Sequence, residues 1–473
     1  MVQTVVVVLL YLCACAFTVE ATQAVYSDHD CLSKDHVDVP CRGQYCKAKD
    51  NGSVRSCIFR NLCYDSDPSV SAFVYYHDGD GGSSLPSSTR VNKKGETVWN
   101  TERPFTDSWR VALNTPSDYE VDKVGKFKWR PVEHRGALPT DDVEWRKEVP
   151  FLFARTPSDD NLGHVLFDTY LPLMSAVDTW LGLKAMGDVV PVDYRNASDV
   201  WLPSHAHKYQ EIRYQIGSLL WSSTQSLEEF AGSASPRLRC FERVLVGTGG
   251  QEESGLHGGA FMRQRPLTHL KRTLLQAFLP SGLAAAGRQG SQIHVTLLEK
   301  KRSHTGHNNF VANWDEVVVS VAKALGNGTT VADVVVRNVD PGTLTFSEQV
   351  RLLHTTDVAV GLWGGVSAMN FMLPHTSVQV IISNWWPYGG DPKPNDAAKE
   401  CVDYEGDWRG GMGLHGSKTL LFCVRNPKRN GNGKTFPDPV DVPSLTKLVG
   451  RAVQYARHHR RQKHDHHANA FAS

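Results

Sequence analysis

His164 and Asp168 stand four residues apart in the stretch Asn161-Leu162-Gly163-His164-Val165-Leu166-Phe167-Asp168. On a helix that spacing turns both side chains to one face, within hydrogen-bonding reach. An imidazole oriented by a carboxylate is a workable general base, able to take a proton from an acceptor hydroxyl; a plain polar pair on a helix surface has the same spacing. A second group, Lys300-Lys301-Arg302, directly follows an apolar run, with His304, His307, Asn308 and Asn309 close behind. Cations at the carboxyl end of a parallel strand can neutralise phosphate oxygens, although a charge run at a loop entry is also what a solvated surface requires. A third group is the turn that contains Gly361, Gly364 and Gly365. Glycines between a strand and a helix let backbone N–H groups approach an anion, so a phosphate-bearing ligand beside Trp363–Val366 and a mere tight turn are both open readings. Asp78-Gly79-Asp80 has the D-x-D form that can hold a divalent cation, but Asp28/Asp30 and Asp65/Asp67 repeat it. A pattern that cheap assigns no metal site. The absence of G-x-S-x-G, P-loop and H-E-x-x-H motifs argues against a serine hydrolase, a Walker-type nucleotidase and a zincin protease.

These groups need elements to hold them. Near-continuous Val/Ile/Leu runs predict strands at 150–154, 189–192, 241–246, 293–298, 334–337, 357–362, 378–382 and 420–424. Between them, helical spacing predicts helices at 161–183, 314–325 and 347–354. Such alternation is what a parallel sheet covered on both faces requires, so the expected fold class is α/β with two facing αβ domains. Thr345-Phe346-Ser347-Glu348 has the form of a capping box and sets the start of one helix; Val366–Leu373 reads as another, stopped by Pro374. Leu445, Leu448, Val449, Ala452, Val453 and Ala456 recur on one face of a C-terminal helix. The expected divisions are a leader or short anchor over 1–24, a disulfide-tied Cys-rich cap over 25–70, two αβ domains over 71–285 and 286–440, a helix over 441–457, and a disordered basic, His-rich tail over 458–473.

Composition narrows the class further. The 473 residues carry 51 Lys+Arg against 50 Asp+Glu, a net charge of +1, with 41% hydrophobic residues. That is the balance of a folded globular protein, and it gives no bulk positive field for reading nucleic acid. The apolar run Val5–Phe17 has 13 residues, a length that suits a signal-peptide core better than the ~20 residues of a spanning helix. Because no Lys or Arg precedes it, an uncleaved membrane anchor stays open. Beyond the leader, eight cysteines remain, five of them within 33 residues, which reads as disulfides in an oxidising lumen. Acceptor triplets at Asn51, Asn196 and Asn327 agree with passage through the secretory pathway, in the Golgi, the endoplasmic reticulum or beyond.

Read in order, several segments resemble glycosyltransferase family 61, which includes plant xylosyl- and arabinosyltransferases and animal protein O-linked N-acetylglucosaminyltransferases. They are CIFRNLCYD, NLGHVLFDTYLPL, CFERVLVGTGG, LLEKKRSHTGHNNF, and the stretch from Phe346-Ser347-Glu348-Gln349-Val350 through DVAVGLWGG to Phe371-Met372-Leu373-Pro374. The resemblance spans residues 55 to 445 and implies a GT-B fold: two Rossmann-like domains, with the acceptor at 71–285 and the nucleotide-sugar at 286–440. It implies an inverting, metal-independent transfer from a UDP-sugar, xylose or N-acetylglucosamine foremost, to a glycan or glycoprotein hydroxyl, with no further cofactor. By position it places Trp363, Gly364 and Gly365 against the donor diphosphate, Ser347 and Glu348 near the nucleotide, and Lys301 and Arg302 on the leaving UDP. His164 and Asp168 would face the acceptor, either one serving as base. Trp363 stands where the family carries a histidine and can stack but not transfer a proton. A non-catalytic glycan- or partner-binding descendant of the same fold is therefore the alternative reading.

Overall fold

The structure is a computed structural model that describes residues 25–33, 55–67, 69–78, 98–100, 111–113, 128–154, 162–194, 207–232, 236–248, 264–279, 292–301, 310–326, 333–362, 367–383, 417–423 and 439–471. The leader at 1–24 and the three acceptor asparagines lie outside these residues. The fold is mixed α/β, with its strands gathered in two large sheets.

The N-terminal sheet contains β1 (Asp28–Ser33), β2 (Arg55–Asp65), β3 (Ala72–His77), β4 (Val98–Asn100), then, past the small pair β5 (Val111–Ala112) and β6 (Lys128–Trp129), β7 (Val132–Arg135), β8 (Val143–Arg146), β9 (Val149–Phe153), β10 (Val189–Asp193), β11 (Gln225–Ser226) and β12 (Leu238–Val246). Its order is β11-β10-β9-β12-β2-β1-β4. Strands β9 to β12 pair in parallel, but β2 runs antiparallel to both β12 and β1. The expected separate cap at 25–70 is therefore corrected: β1 and β2 belong to this sheet, which is mixed rather than wholly parallel. Asn61 hides the strand in the sequence. Its left-handed backbone, φ 54°, sits beside Arg60 in mid-strand and splits the apolar pattern into two short pieces. Disulfides Cys31–Cys57 and Cys63–Cys240 join residues that lie directly opposite each other across strand pairs. Phe59, Tyr64, Phe73, Trp129, Phe230 and Phe241 fill one face, with edge-to-face contacts such as Tyr64 on Phe73 at 5.2 Å.

The second sheet is wholly parallel: β13 (Ile293–Leu298), β14 (Val334–Val339), β15 (Val358–Leu362), β16 (Val378–Ser383) and β17 (Lys418–Cys423), in the order β14-β13-β15-β16-β17. Counted within the sheet this is 2-1-3-4-5, an order that reverses between β13 and β15. The described helices are α1 (an α turn Leu162–His164, a π turn Val165–Tyr170, then Leu171–Trp180), α2 (His207–Leu220), α3 (Leu227–Ala231), α4 (Gln264–Phe278), α5 (Trp314–Gly326), α6 (Phe346–His354) and α7 (Val442–Phe471). None is long and apolar enough to cross a membrane. One face of the parallel sheet packs on α5 and α7, where Val317, Val321, Leu445 and Val449 meet Val295, Val358 and Val378. Leu298 and Ala359 face the other way, into a cluster with α1, α4 and α6 that also takes in Phe151 and Leu245 of the N-terminal sheet. One apolar layer thus serves both sheets.

Two helices differ from expectation. The predicted helix at 161–183 is interrupted by its π turn, because Pro172 has no N–H to give and its ring crowds the carbonyl of Asp168, four residues back. The terminal helix does not stop near 457: it continues to Phe471, through the stretch expected as a disordered tail. After Gly450 that stretch contains no Pro or Gly, and its Arg, Gln, Lys and Ala are good helix formers. Arg460 also holds it down, through an ion pair with buried Asp357 at 2.7 Å and a hydrogen bond to the Gln292 carbonyl at 2.7 Å.

Candidate functional site

Open parallel sheets bind ligands beyond the carboxyl ends of their strands, at the point where strand order reverses. Here that point lies between β13 and β15, and Leu298 is registered against Gly361 across it. Gly361 has a packing reason: a Cβ there would lie 3.1 Å from that of Leu298, so a side chain would need Leu298 to give by a few tenths of an ångström at the switch point. From β13 the chain runs into Glu299, Lys300 and Lys301; from β15 it runs into 363–366. Two of the sequence's candidate groups therefore leave adjacent strands at one edge of the sheet.

Lys301 is exposed, whereas Lys300 is half-buried, and burial pushes the Lys300 ammonium below the ordinary lysine range. No hydrogen bond or ion pair joins Lys300 to another described residue. A desolvated cation at the mouth of a switch point is arranged to receive an anion, so Lys300 has a stronger claim than the exposed Lys301. Arg302, Trp363, Gly364 and Gly365 lie outside the described residues, as do His304 and His307.

At the neighbouring end of β14, Thr345 and Glu348 form the expected capping box: the Glu348 carboxylate accepts from the Thr345 N–H at 2.8 Å, and the Glu348 N–H donates to the Thr345 hydroxyl. Donation from the Thr345 N–H, and from the Thr345 hydroxyl at 2.7 Å, holds the Glu348 carboxyl below its ordinary range and gives it a structural task at the helix start. Ser347 is half-buried beside it, its hydroxyl 3.3 Å from that of Thr345. His164 ends the first turn of α1 and Asp168 falls in the π turn, so the α-helical spacing argument does not carry over to them unchanged; π turns do recur at functional sites. The Leu162–His164 turn comes within 8 Å, Cα to Cα, of the 3-10 turn Ala368–Met372 that follows 363–366. The expected helix at 366–373 is this shorter 3-10 turn, ended by Pro374.

Lys271 of α4 is a residue that motif reading missed. It is 7% exposed, burial drives its pKa down to about 8, and its ammonium donates to the Leu373 carbonyl at 2.5 Å. The signal was available: Lys271 interrupts the apolar stripe Leu267, Leu270, Leu274, where a cation needs a reason.

The D-x-D repeats are accounted for where they are described. Asp28 and Asp30 clamp Arg60 at 2.8 and 2.7 Å; Asp65 pairs with Arg237, and Asp67 caps its own turn by accepting from Ser69. Asp80 lies outside the described residues. Among those described, no group of His, Cys, Asp and Glu is arranged to hold a metal ion.

No family model and no curated protein matches the chain. Solved structures match distantly. A diflavin flavoprotein from Nostoc sp. is 15% identical, covering 37% of this chain and 99% of its own, at a TM-score of 0.23. The flavodoxin-like domain of a Synechococcus sp. protein is 14% identical, covering 35% and 96%, at 0.18. A dodecameric iron-containing heptosyltransferase, solved with ADP-D-beta-D-heptose, is 14% identical over 56% of this chain and 66% of its own, at 0.20. Scores this low carry no argument about what this chain does.

Proposed function

We propose that this chain is an inverting glycosyltransferase of GT-B type, moving xylose or N-acetylglucosamine from a UDP-sugar to a hydroxyl of a glycan or glycoprotein in the lumen of the Golgi or endoplasmic reticulum. The observation that carries the reading is the switch point, where a half-buried Lys300 without a described partner stands at the end of β13, one strand from the glycine-bearing exit of β15. A pyrophosphate suits such a place, since ammonium groups neutralise phosphate oxygens and glycines after a strand leave room for backbone N–H groups to approach them. In the transfer, the acceptor oxygen forms its bond to the anomeric carbon as the bond to the β-phosphate oxygen breaks. The acceptor proton passes to His164 or Asp168, and the charge growing on UDP is met by Lys300, Lys301 and Arg302. Two cross-strand disulfides agree with an oxidising compartment.

Incubation with UDP-sugars and glycan acceptors, followed by release of UDP, tests the reading. Turnover lost in both His164→Ala and Asp168→Asn, or in one of them, supports it and identifies the base. Binding of UDP without turnover would favour the non-catalytic descendant, for which Trp363 in place of a histidine is the motivating departure. Failure of every nucleotide to bind folded protein would overturn the transferase reading.

A further inference from the structure

The turn Ala368–Met372 is tied down from two sides. On the sheet side, buried Asn370 donates to Gln379 of β16 at 3.0 Å, and Gln379 donates to the Thr419 hydroxyl of β17 at 2.7 Å. On the helix side its last carbonyl, at buried Leu373, is met by Lys271. Pro374 follows, so the chain offers no N–H at the next position, and without Lys271 a buried carbonyl would lose its partner. Helix α4 in turn packs on α1, α2 and α6. Lys271 is thus the polar tie between the helical layer shared by the two sheets and the turn that follows the exit of β15.

We propose that Lys271 is a positioning residue, a proton-dependent latch that holds the 367–373 turn against α4 and thereby sets the geometry behind the switch point. Its ligand-binding consequence rests on the reading above; the latch itself does not. Among the described residues, the charged groups on the helices packed against α4 are engaged elsewhere or distant in effect. Asp178 of α1 holds Arg265, Arg351 of α6 holds the Phe278 carbonyl, and Glu348 caps its own helix; Glu211 and Arg213 of α2 and His354 of α6 make no electrostatic contribution at Lys271, where burial is the single cause of the shift. The closed latch holds the Lys271 proton less tightly than the opened one, because burial disfavours the ammonium, so closure releases a proton and the latch tightens as pH rises from about 8 towards the ordinary lysine value.

Hydrogen exchange of the Asn370 and Leu373 amides, which close the turn onto Ser367 and Asn370, reads the latch without any ligand. After correction for the intrinsic effect of pH, the unmodified chain is expected to exchange at least about tenfold more slowly at pH 9.5 than at pH 6.5, the factor that a gain of ~1.4 kcal/mol of local stability gives. Lys271→Met, which keeps an unbranched chain of similar size and has nothing to titrate there, should show no such step. Lys300→Ala should keep the step, which separates Lys271 from the other desolvated lysine. A step that persists in Lys271→Met, or protection in the unmodified chain that stays level or falls as pH rises, overturns the proposal. If Lys271→Met does not fold, the pH series on Lys300→Ala decides alone. A parallel UDP titration distinguishes the two ideas: UDP that never binds sinks the glycosyltransferase reading, whereas exchange indifferent to Lys271 sinks the latch.

Discussion

The two sheets treat their charges in opposite ways. In the N-terminal sheet nearly every described carboxylate and guanidinium that could look like a site is spent on architecture: Arg60 between Asp28 and Asp30, Arg237 on Asp65, Arg239 sandwiched near Tyr64 and Phe230. In the parallel sheet the amino edge is likewise closed, by Arg460 on Asp357. Its carboxyl edge is different, since Lys300 is desolvated there with no described residue to pair with it. Residue type alone does not mark a site. What separates a structural charge from a functional one is whether the fold has already supplied its counter-ion.

The contrast can be broken by substitution. The largest effect is expected from Cys240→Ser, which opens the link between Cys63 and Cys240, 177 positions apart in sequence; loop entropy of that size corresponds to about 5 kcal/mol, read as a drop in denaturation midpoint. Arg460→Ala comes next. It strands the Asp357 carboxylate at 1% exposure, and breaking a buried pair typically costs about 3–5 kcal/mol; the Asp357 bond to the His294 N–H at 2.7 Å puts the expected loss near the lower end. Gly361→Ala should cost about 1–2 kcal/mol through overpacking against Leu298, and should weaken UDP binding as well. Arg60→Ala removes exposed pairs and should cost under about 1 kcal/mol.

Lys300→Met sharpens the comparison from the other side, because it removes a charge that no described residue pairs with. Its stability at neutral pH should equal or exceed that of the unmodified chain. The sign of the pH effect follows from burial: the folded Lys300 holds its proton less tightly than the unfolded one, so between the two pKa values the unfolded chain binds more protons and stability rises with pH. Lys271 acts in the same sense, over a window from about pH 8 up to the ordinary lysine value of 10.5. Lys300→Met should flatten part of that rise, and denaturant titrations at pH 7, 9 and 10.5 would measure how much.

The parallel sheet was the more legible half. Its central strands β13, β15 and β16 are buried and read as apolar runs; β13 has the limits its Ile293-to-Leu298 run implies, and the Thr345/Glu348 capping box forms as its spacing predicts. The N-terminal sheet was opaque because its long central strand carries Arg60 and Asn61 in mid-course, and because its pairings reach across the chain, as from β2 to β12. Local pattern carries no record of such a partner. The π turn could have been anticipated from Pro172, and Lys271 from its place on an apolar stripe. The continuation of α7 was half legible: the stretch after Gly450 has no Pro or Gly to stop a helix, but the pairing of Arg460 with Asp357 is a tertiary event that local pattern does not contain. The nearness of the two strand exits at the switch point is likewise a matter of strand order, which sequence alternation leaves open.

Calorimetric titration with UDP, for the unmodified chain and for Lys300→Met side by side, bears on this most directly. Saturable one-to-one binding, weakened at least tenfold in Lys300→Met while folding stability is retained, is the predicted result. Equal affinity in the two proteins, or no heat and no thermal stabilisation in either, would contradict an anion site between β13 and β15.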